Sequence, residues 1–221
     1  MGSFINLDMS NNKLSGSIPN GLGNMAQLLT LDLSTNNLSG SVPSDIVESR
    51  ALTSINLSMN SLTGPIPSSL ATSLRSLVTL NFSHNLIDGN IPSNLGNLTL
   101  LQQLDLSYNR LEGEIPGSLA VIQGLVFLNL SFNNLEGSIP DGGVFDNVTA
   151  ASFLGNPQLC GSILNILCSE AIQQNTANSK VSNGTKVASI ICAVIAGILL
   201  ILGFILVILY RCKQGLIGTS R

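Results

Sequence analysis

The chain of 221 residues has no tryptophan, a single histidine and only 10% charged residues. Each shortage excludes a class of function. His84 has no cysteine and no second histidine near it, so no metal-ligand spacing can be read. A Ser/His/Asp set around this one histidine has no support in the sequence. Carboxylates form no telling pair, since Glu112 and Glu114 flank Gly113 in a turn. No catalytic site, metal site or cofactor is therefore expected. Basic residues are scarce where the chain could fold, with four against twelve acids over residues 1–170, a balance of −8. A surface of that sign disfavours nucleic acid, whose phosphates need Lys or Arg to neutralise them. Acids are absent after Glu170, and the remaining five cations lie between Lys180 and Arg221. The start carries no basic stretch leading into an apolar run, so no secretion signal is expected in these first residues.

A repeat dominates what is present. Asn recurs at Asn12, Asn36, Asn60, Asn85, Asn109 and Asn133, spaced by 24, 24, 25, 24 and 24. Gly follows four residues later at Gly16, Gly40, Gly64, Gly89, Gly113 and Gly137. Pro comes three residues after that, from Pro19 to Pro140. Leu104 and Leu106 are two apart, so a strand points both into one core. Gln103, Asp105 and Ser107 should then face the other way. Leu111 and Leu119 should fill the core from the return side. One unit cannot bury its own apolar face, so neighbours must stack. Six strands at about 4.8 Å spacing give a core roughly 29 Å long. The recurring Asn sits where the chain leaves the strand, and its amide can satisfy turn groups of its own and adjacent coils. Gly permits a backbone conformation closed to other residues, and Pro fixes the exit. The extra residue of the third unit, near Thr72–Leu74, should fall on the return side.

The unit resembles the plant-specific class of leucine-rich repeat, LxxLxLxxNxLxGxIPxxLxxLxx, which residues 4–141 match throughout, so residues 1–141 read as six such repeats. The resemblance implies a leucine-rich repeat solenoid: an α/β-type horseshoe with a parallel β-sheet on its concave side and an irregular, 3-10 convex side. In receptor relatives the concave side or a lateral edge binds ligands and co-receptors. Residues 142–168 should cap the last coil, with Val144, Phe145, Val148, Phe153 and Leu159 as cover and a Cys160–Cys168 pair as the tie. This segment, through GNPQLCG, looks like the C-terminal cap of leucine-rich repeat receptor kinases. The loop Ser162–Leu167 lacks the proline that such relatives often carry before the second cysteine.

Residues 169–186 are polar and read as a stalk. Val187–Tyr210 holds no charge in 24 residues. About 20 apolar residues cross a bilayer as a helix, so one transmembrane α-helix is expected there. Tyr210, Arg211 and Lys213 suit an inner interface, which places residues 211–221 as a short cytoplasmic tail. Ser189, Ala193 and Gly197 form a small-residue stripe suited to helix packing. Cys212 is a palmitoylation candidate, whereas Cys192 reads as apolar filler. No kinase signature fits the tail, although full-length proteins of the resembled family carry a Ser/Thr kinase.

Seven N-x-S/T sequons are candidate glycan acceptors: Asn37, Asn56, Asn81, Asn97, Asn129, Asn147 and Asn183. Asn56, Asn81 and Asn129 lie on the strand itself, where the same residues are also part of the repeat pattern. Two columns face the concave side. The first, from Asp8 and Asp32 to Asp105 and Asn129, is near consensus and reads as structural. The second varies: Asn11, Thr35, Met59, His84, Tyr108, Phe132. Interfaces are rich in aromatics. Met59, His84, Tyr108, Phe127 and Phe132 are therefore the candidate partner contacts.

Three readings follow. The first is a single-pass plasma-membrane glycoprotein with extracellular repeats. It would recognise a peptide or protein ligand, a leucine-rich repeat co-receptor, or both, and would be non-catalytic itself. The second is a truncated fragment of a receptor Ser/Thr kinase, because Met1 enters in mid-repeat. The third is a tail-anchored cytosolic scaffold, whose cysteines would stay reduced and whose sequons would be idle.

Overall fold

The structure is a computed structural model that describes residues 5–168. The stalk at 169–186 with Asn183, the apolar run at 187–210 with Ser189, Ala193 and Gly197, and the tail with Cys212 lie outside the described residues. Among the described residues no helix is long and apolar enough to cross a membrane.

Each repeat makes two short strands. They are β1 (Asn6–Asp8) and β2 (Ser15–Ser17), β3 (Thr30–Asp32) and β4 (Asn37–Gly40), then β5 (Ser54–Asn56) and β6 (Ser61–Pro65). Next come β7 (Thr79–Asn81) and β8 (Leu86–Asn90), β9 (Gln103–Asp105) and β10 (Arg110–Glu114), and β11 (Phe127–Asn129) and β12 (Asn134–Ser138). The segment after the repeats adds β13 (Gln158–Cys160). The odd-numbered strands β1 to β11 form one parallel sheet in chain order. Its register puts Leu31, Ile55, Leu80, Leu104 and Leu128 in one row. All five are buried, as are Leu106, Leu111 and Leu119. A buried leucine contributes about 1.5–3 kcal/mol, but the neighbours that cover each row belong to the adjoining coils. The fold is therefore stable only as a stack.

The repeat pattern does not announce a second sheet, yet one exists. The remaining strands pair in the order β13-β12-β10-β8-β6-β4-β2. A glycine sits in most of them, and its positive φ (75° at Gly40, 74° at Gly113) breaks the alternation by which a strand is read. Its main-chain groups still bond from coil to coil. The return side is 3-10 in four coils, at Leu22–Asn24, Ser44–Glu48, Ser93–Asn97 and Gly117–Val121. The third coil instead has an α-helical turn, Leu70–Ser73. An α-turn takes up more residues than a 3-10 turn, and this coil is the one whose Asn-to-Asn spacing is 25.

The ladder asparagines work as their spacing suggests. Asn85 Oδ1 accepts from Leu62 N–H one coil back, at 2.9 Å. Its Nδ2 donates to the carbonyls of Leu57, Phe82 and Ser83. Asn36, Asn60, Asn109 and Asn133 repeat this set. Asn12 bonds only carbonyls of its own coil, Met9 and Ser10. Beyond the repeats, Asn156 makes a seventh rung: it accepts from Leu135 N–H and donates to Leu130 and Phe153. The cap is thus a partial coil as well as a lid. Val144, Phe145, Phe153 and Leu159 are buried beneath it. Cys160 and Cys168 form a disulfide with Cα atoms 4.9 Å apart.

One expectation of facing is corrected. Ser107 is buried, along with Ser34, Ser58, Ser83 and Ser131. The chain turns there, and the serine N–H and hydroxyl fold back onto the preceding Asx carboxyl or amide.

Candidate recognition surface

Two columns of side chains run across the first sheet and its exit turn. In the first column, the side chain of each strand's last residue caps the turn that follows. Asp105 Oδ1 accepts from Ser107 N–H and Oγ at 3.0 and 2.7 Å. Asn56, Asn81 and Asn129 do the same for Ser58, Ser83 and Ser131. Asn56 Nδ2 also donates to Asp32 Oδ2 in the coil before. At Asp8, the Ser10 backbone N–H and then its hydroxyl hold the carboxyl below its ordinary range, with desolvation opposing. These groups serve their own backbone, the usual task of Asx side chains at turns.

The second column is unusual in its backbone. Asn11, Thr35, Met59, His84, Tyr108 and Phe132 all have φ of 54–55°. Left-handed backbone is rare for bulky or β-branched residues. Here each residue is clamped from both sides. Tyr108 N–H donates to Ser131 O in the next coil at 2.9 Å. Tyr108 C=O accepts from Asn85 N–H in the coil before at 3.1 Å. Surrounding structure that over-determines a residue can hold such a conformation.

The consequence is a row of side chains, one per coil, stacked in register. His84 and Tyr108 rings lie 4.2 Å apart at 11°. Tyr108 and Phe132 rings lie 4.3 Å apart at 17°. Thr35 Oγ1 reaches Met59 Sδ at 3.6 Å. The far side of Phe132 rests on the cap, because a Cβ at Gly155 would stand 2.6 Å from Phe132 Cδ1. Gly155 also has φ of 74°, so a side chain is doubly disfavoured. Despite this packing the row stays open: Met59 is 54% exposed, Tyr108 43% and Phe132 45%. Phe127 begins β11 and is 47% exposed. It lines a cleft of about 250 Å³ with Val126, Asn129, Val148 and Ala151.

The candidate acceptors divide. Asn37, Asn97 and Asn147 are exposed. Asn56, Asn81 and Asn129 are half-buried and engaged with the serine of their own sequon. Two features go beyond what the sequence pattern offers. The stacking of the varying column follows from its left-handed backbone, which no motif displays. The Asn156 rung carries a faint signal in its spacing of 23 from Asn133.

The leucine-rich repeat model matches residues 3–25, 27–48, 51–73, 76–98, 100–122 and 124–143, more than half of the chain. Among solved structures, the plant peptide hormone receptor RGFR1 in complex with RGF2 is 38% identical over 59% of this chain, with a TM-score of 0.58. The Arabidopsis thaliana receptor kinase GASSHO1/SCHENGEN3 ectodomain, in complex with CASPARIAN STRIP INTEGRITY FACTOR 2, is 36% identical over 73%, with a TM-score of 0.59. The Arabidopsis receptor kinase HAESA, with the peptide hormone IDA and co-receptor SERK1, is 33% identical over 72%, with a TM-score of 0.60. The matched regions cover 21%, 22% and 30% of those three chains. The comparison with curated proteins gave no match. Six matched repeats and a solenoid like those of plant receptor ectodomains make the assignment plain: this chain belongs to the leucine-rich repeat family.

Proposed function

We propose that the chain is the recognition module of a membrane-anchored, receptor-like protein that carries no catalysis of its own. Its solenoid faces the cell exterior and binds a peptide or protein ligand, a leucine-rich repeat co-receptor, or both. Residues 169–186 tether it, 187–210 cross the membrane, and 211–221 are cytoplasmic. The observation that carries this reading is the exposed row Met59, His84, Tyr108 and Phe132, whose three rings stack. The row is open to solvent, aromatic and rigid, and ordering it on binding costs little entropy. Related ectodomains of similar fold hold peptide hormones and a SERK co-receptor. Asn37, Asn97 and Asn147 are the glycan acceptors in the described part, which leaves the row bare of sugar. Cys160–Cys168 suits the oxidising route to the surface.

The test is capture of the SERK1 ectodomain and of synthetic peptide hormones of the RGF2 and IDA kinds. A Tyr108→Ala/Phe132→Ala variant should weaken any capture shown by the parent chain by about tenfold or more, or 1.4 kcal/mol. Unchanged capture removes the row from the interface. A second reading, a piece of a receptor Ser/Thr kinase, draws support from the small share of its relatives that the chain spans. Coding sequence for a kinase beyond Arg221 would decide for it.

A further inference from the structure

The return turns of five successive coils end at Asn24, Glu48, Ser73, Asn97 and Val121. The first four are polar. Val121 breaks the column and is 67% exposed. The fourth and fifth coils press together along these turns: Ser118 Oγ donates to Ser93 O, and a Cβ at Gly96 would stand 2.5 Å from Ser118 O. Coils repeat at about 4.8 Å, so Val121 stands beside Asn97. A second apolar side chain adjoins it. Leu100, three residues after Asn97, is 54% exposed. The same place in the next coil is Gly124, which has no side chain to cover it. One exposed aliphatic is ordinary on a protein surface, but a pair grouped on one spot marks a place that something covers.

What lies between the two is a glycan acceptor. Asn97, Leu98 and Thr99 form a sequon, and Asn97 is exposed. The other exposed acceptors have polar neighbours. Asn37 pairs in register with Ser15, and Asn147 follows Asp146 and donates to Gly143 O at 3.3 Å. We propose that Asn97 carries an N-linked glycan whose first N-acetylglucosamine lies over Val121 and Leu100. The proposal rests on the reading that places the solenoid in the secretory lumen. There Asn97 Nδ2 attacks C1 of the first sugar of a polyprenyl-diphosphate oligosaccharide. The diphosphate leaves with the electrons of the C1–O bond, and Nδ2 loses one proton. The C–H face of the sugar ring and its acetamido methyl then meet the two aliphatic side chains and remove them from water. The sugar becomes part of the return wall, spans the fourth and fifth coils, and closes that wall to protein partners.

The experiment is hydroxyl-radical footprinting of the full chain, expressed in plant cells and held in detergent micelles, with side-chain oxidation read by mass spectrometry. Val121 and Leu100 should be oxidised about threefold more in Asn97→Gln than in the glycosylated chain, because a bulky surface group is gone. Thr99→Ala, which keeps Asn97 but removes the sequon, should match Asn97→Gln. Trimming the glycan to its first sugar with an endoglycosidase should leave both residues protected. Val126, 73% exposed just before β11, should be oxidised equally in every form, which also reports that the variants have folded. Equal oxidation of Val121 and Leu100 with and without the glycan overturns the proposal, as does a rise on trimming to one sugar. A bare Asn97 beside a glycosylated Asn147 overturns it too, while the extracellular reading stands. No sugar at any acceptor overturns both.

Discussion

The Phe132 ring lies 4.3 Å from the Tyr108 ring, nearly parallel to it, and on its other side it meets the backbone of Gly155. Repeats and cap therefore share one continuous row, and the surface proposed to bind is also part of what holds the coils in register. Stacked aromatic pairs contribute about 0.5–1.5 kcal/mol beyond area burial. A double-mutant cycle of Tyr108→Ala and Phe132→Ala, followed by chemical denaturation, should show coupling near the lower end of that range because the rings are half exposed. Strict additivity would mean that the rings only lie side by side.

The ladder predicts a graded loss. Asn133 is buried, and Asn133→Ala strands Leu111 N–H, while Leu106 C=O loses one of two amide donors and keeps Asn109 Nδ2. Leaving such a buried group unpaired costs about 1–3 kcal/mol. Asn12 is exposed and serves only its own coil, so Asn12→Ala should cost under about 1 kcal/mol. Comparable losses at the two positions would contradict the cross-coil role.

Thr35 is the one β-branched residue in the left-handed column, at φ 55°. Asparagine tolerates that conformation far better. Thr35→Asn should raise stability by about 0.5–1 kcal/mol, read as a shift in thermal midpoint. A fall would show that the Thr35–Met59 contact outweighs the strain.

The disulfide should act on the cap. Cys160 and Cys168 are eight residues apart, and closing so short a loop stabilises by about 2–3 kcal/mol. Cys168→Ser should speed amide exchange in Val144–Leu159 and leave the first coils unchanged. An unchanged cap would make the bond incidental.

Much of this was legible because the repeat fixes three columns at once. The inward leucines, the Asn ladder and the site of the extra residue follow from period and residue type. What stayed hidden was conformational. The second sheet is built on glycine-bearing segments without alternation, so Gly113 reads as a turn although Leu111 and Glu112 pair with β8. Ser107 reads as outward-facing, yet its bonds to Asp105 draw it inside. Tyr108 and Phe132 could be named as surface aromatics, but their stacking depends on a left-handed backbone that only the folded coils impose. Asn56, Asn81 and Asn129 read as strand positions of the repeat among the seven sequons, but the bonds to their own serines that half-bury them were not legible.

The receptor account depends above all on the solenoid reaching the secretory lumen. The direct measurement is a glycosidase mobility shift on the chain expressed in plant cells, alone and with Asn37→Gln, Asn97→Gln, Asn147→Gln and Asn183→Gln. The account predicts a band that collapses on treatment and that steps down with each of the four changes. Membrane insertion without any shift would contradict it and leave the cytosolic, tail-anchored scaffold as the better description.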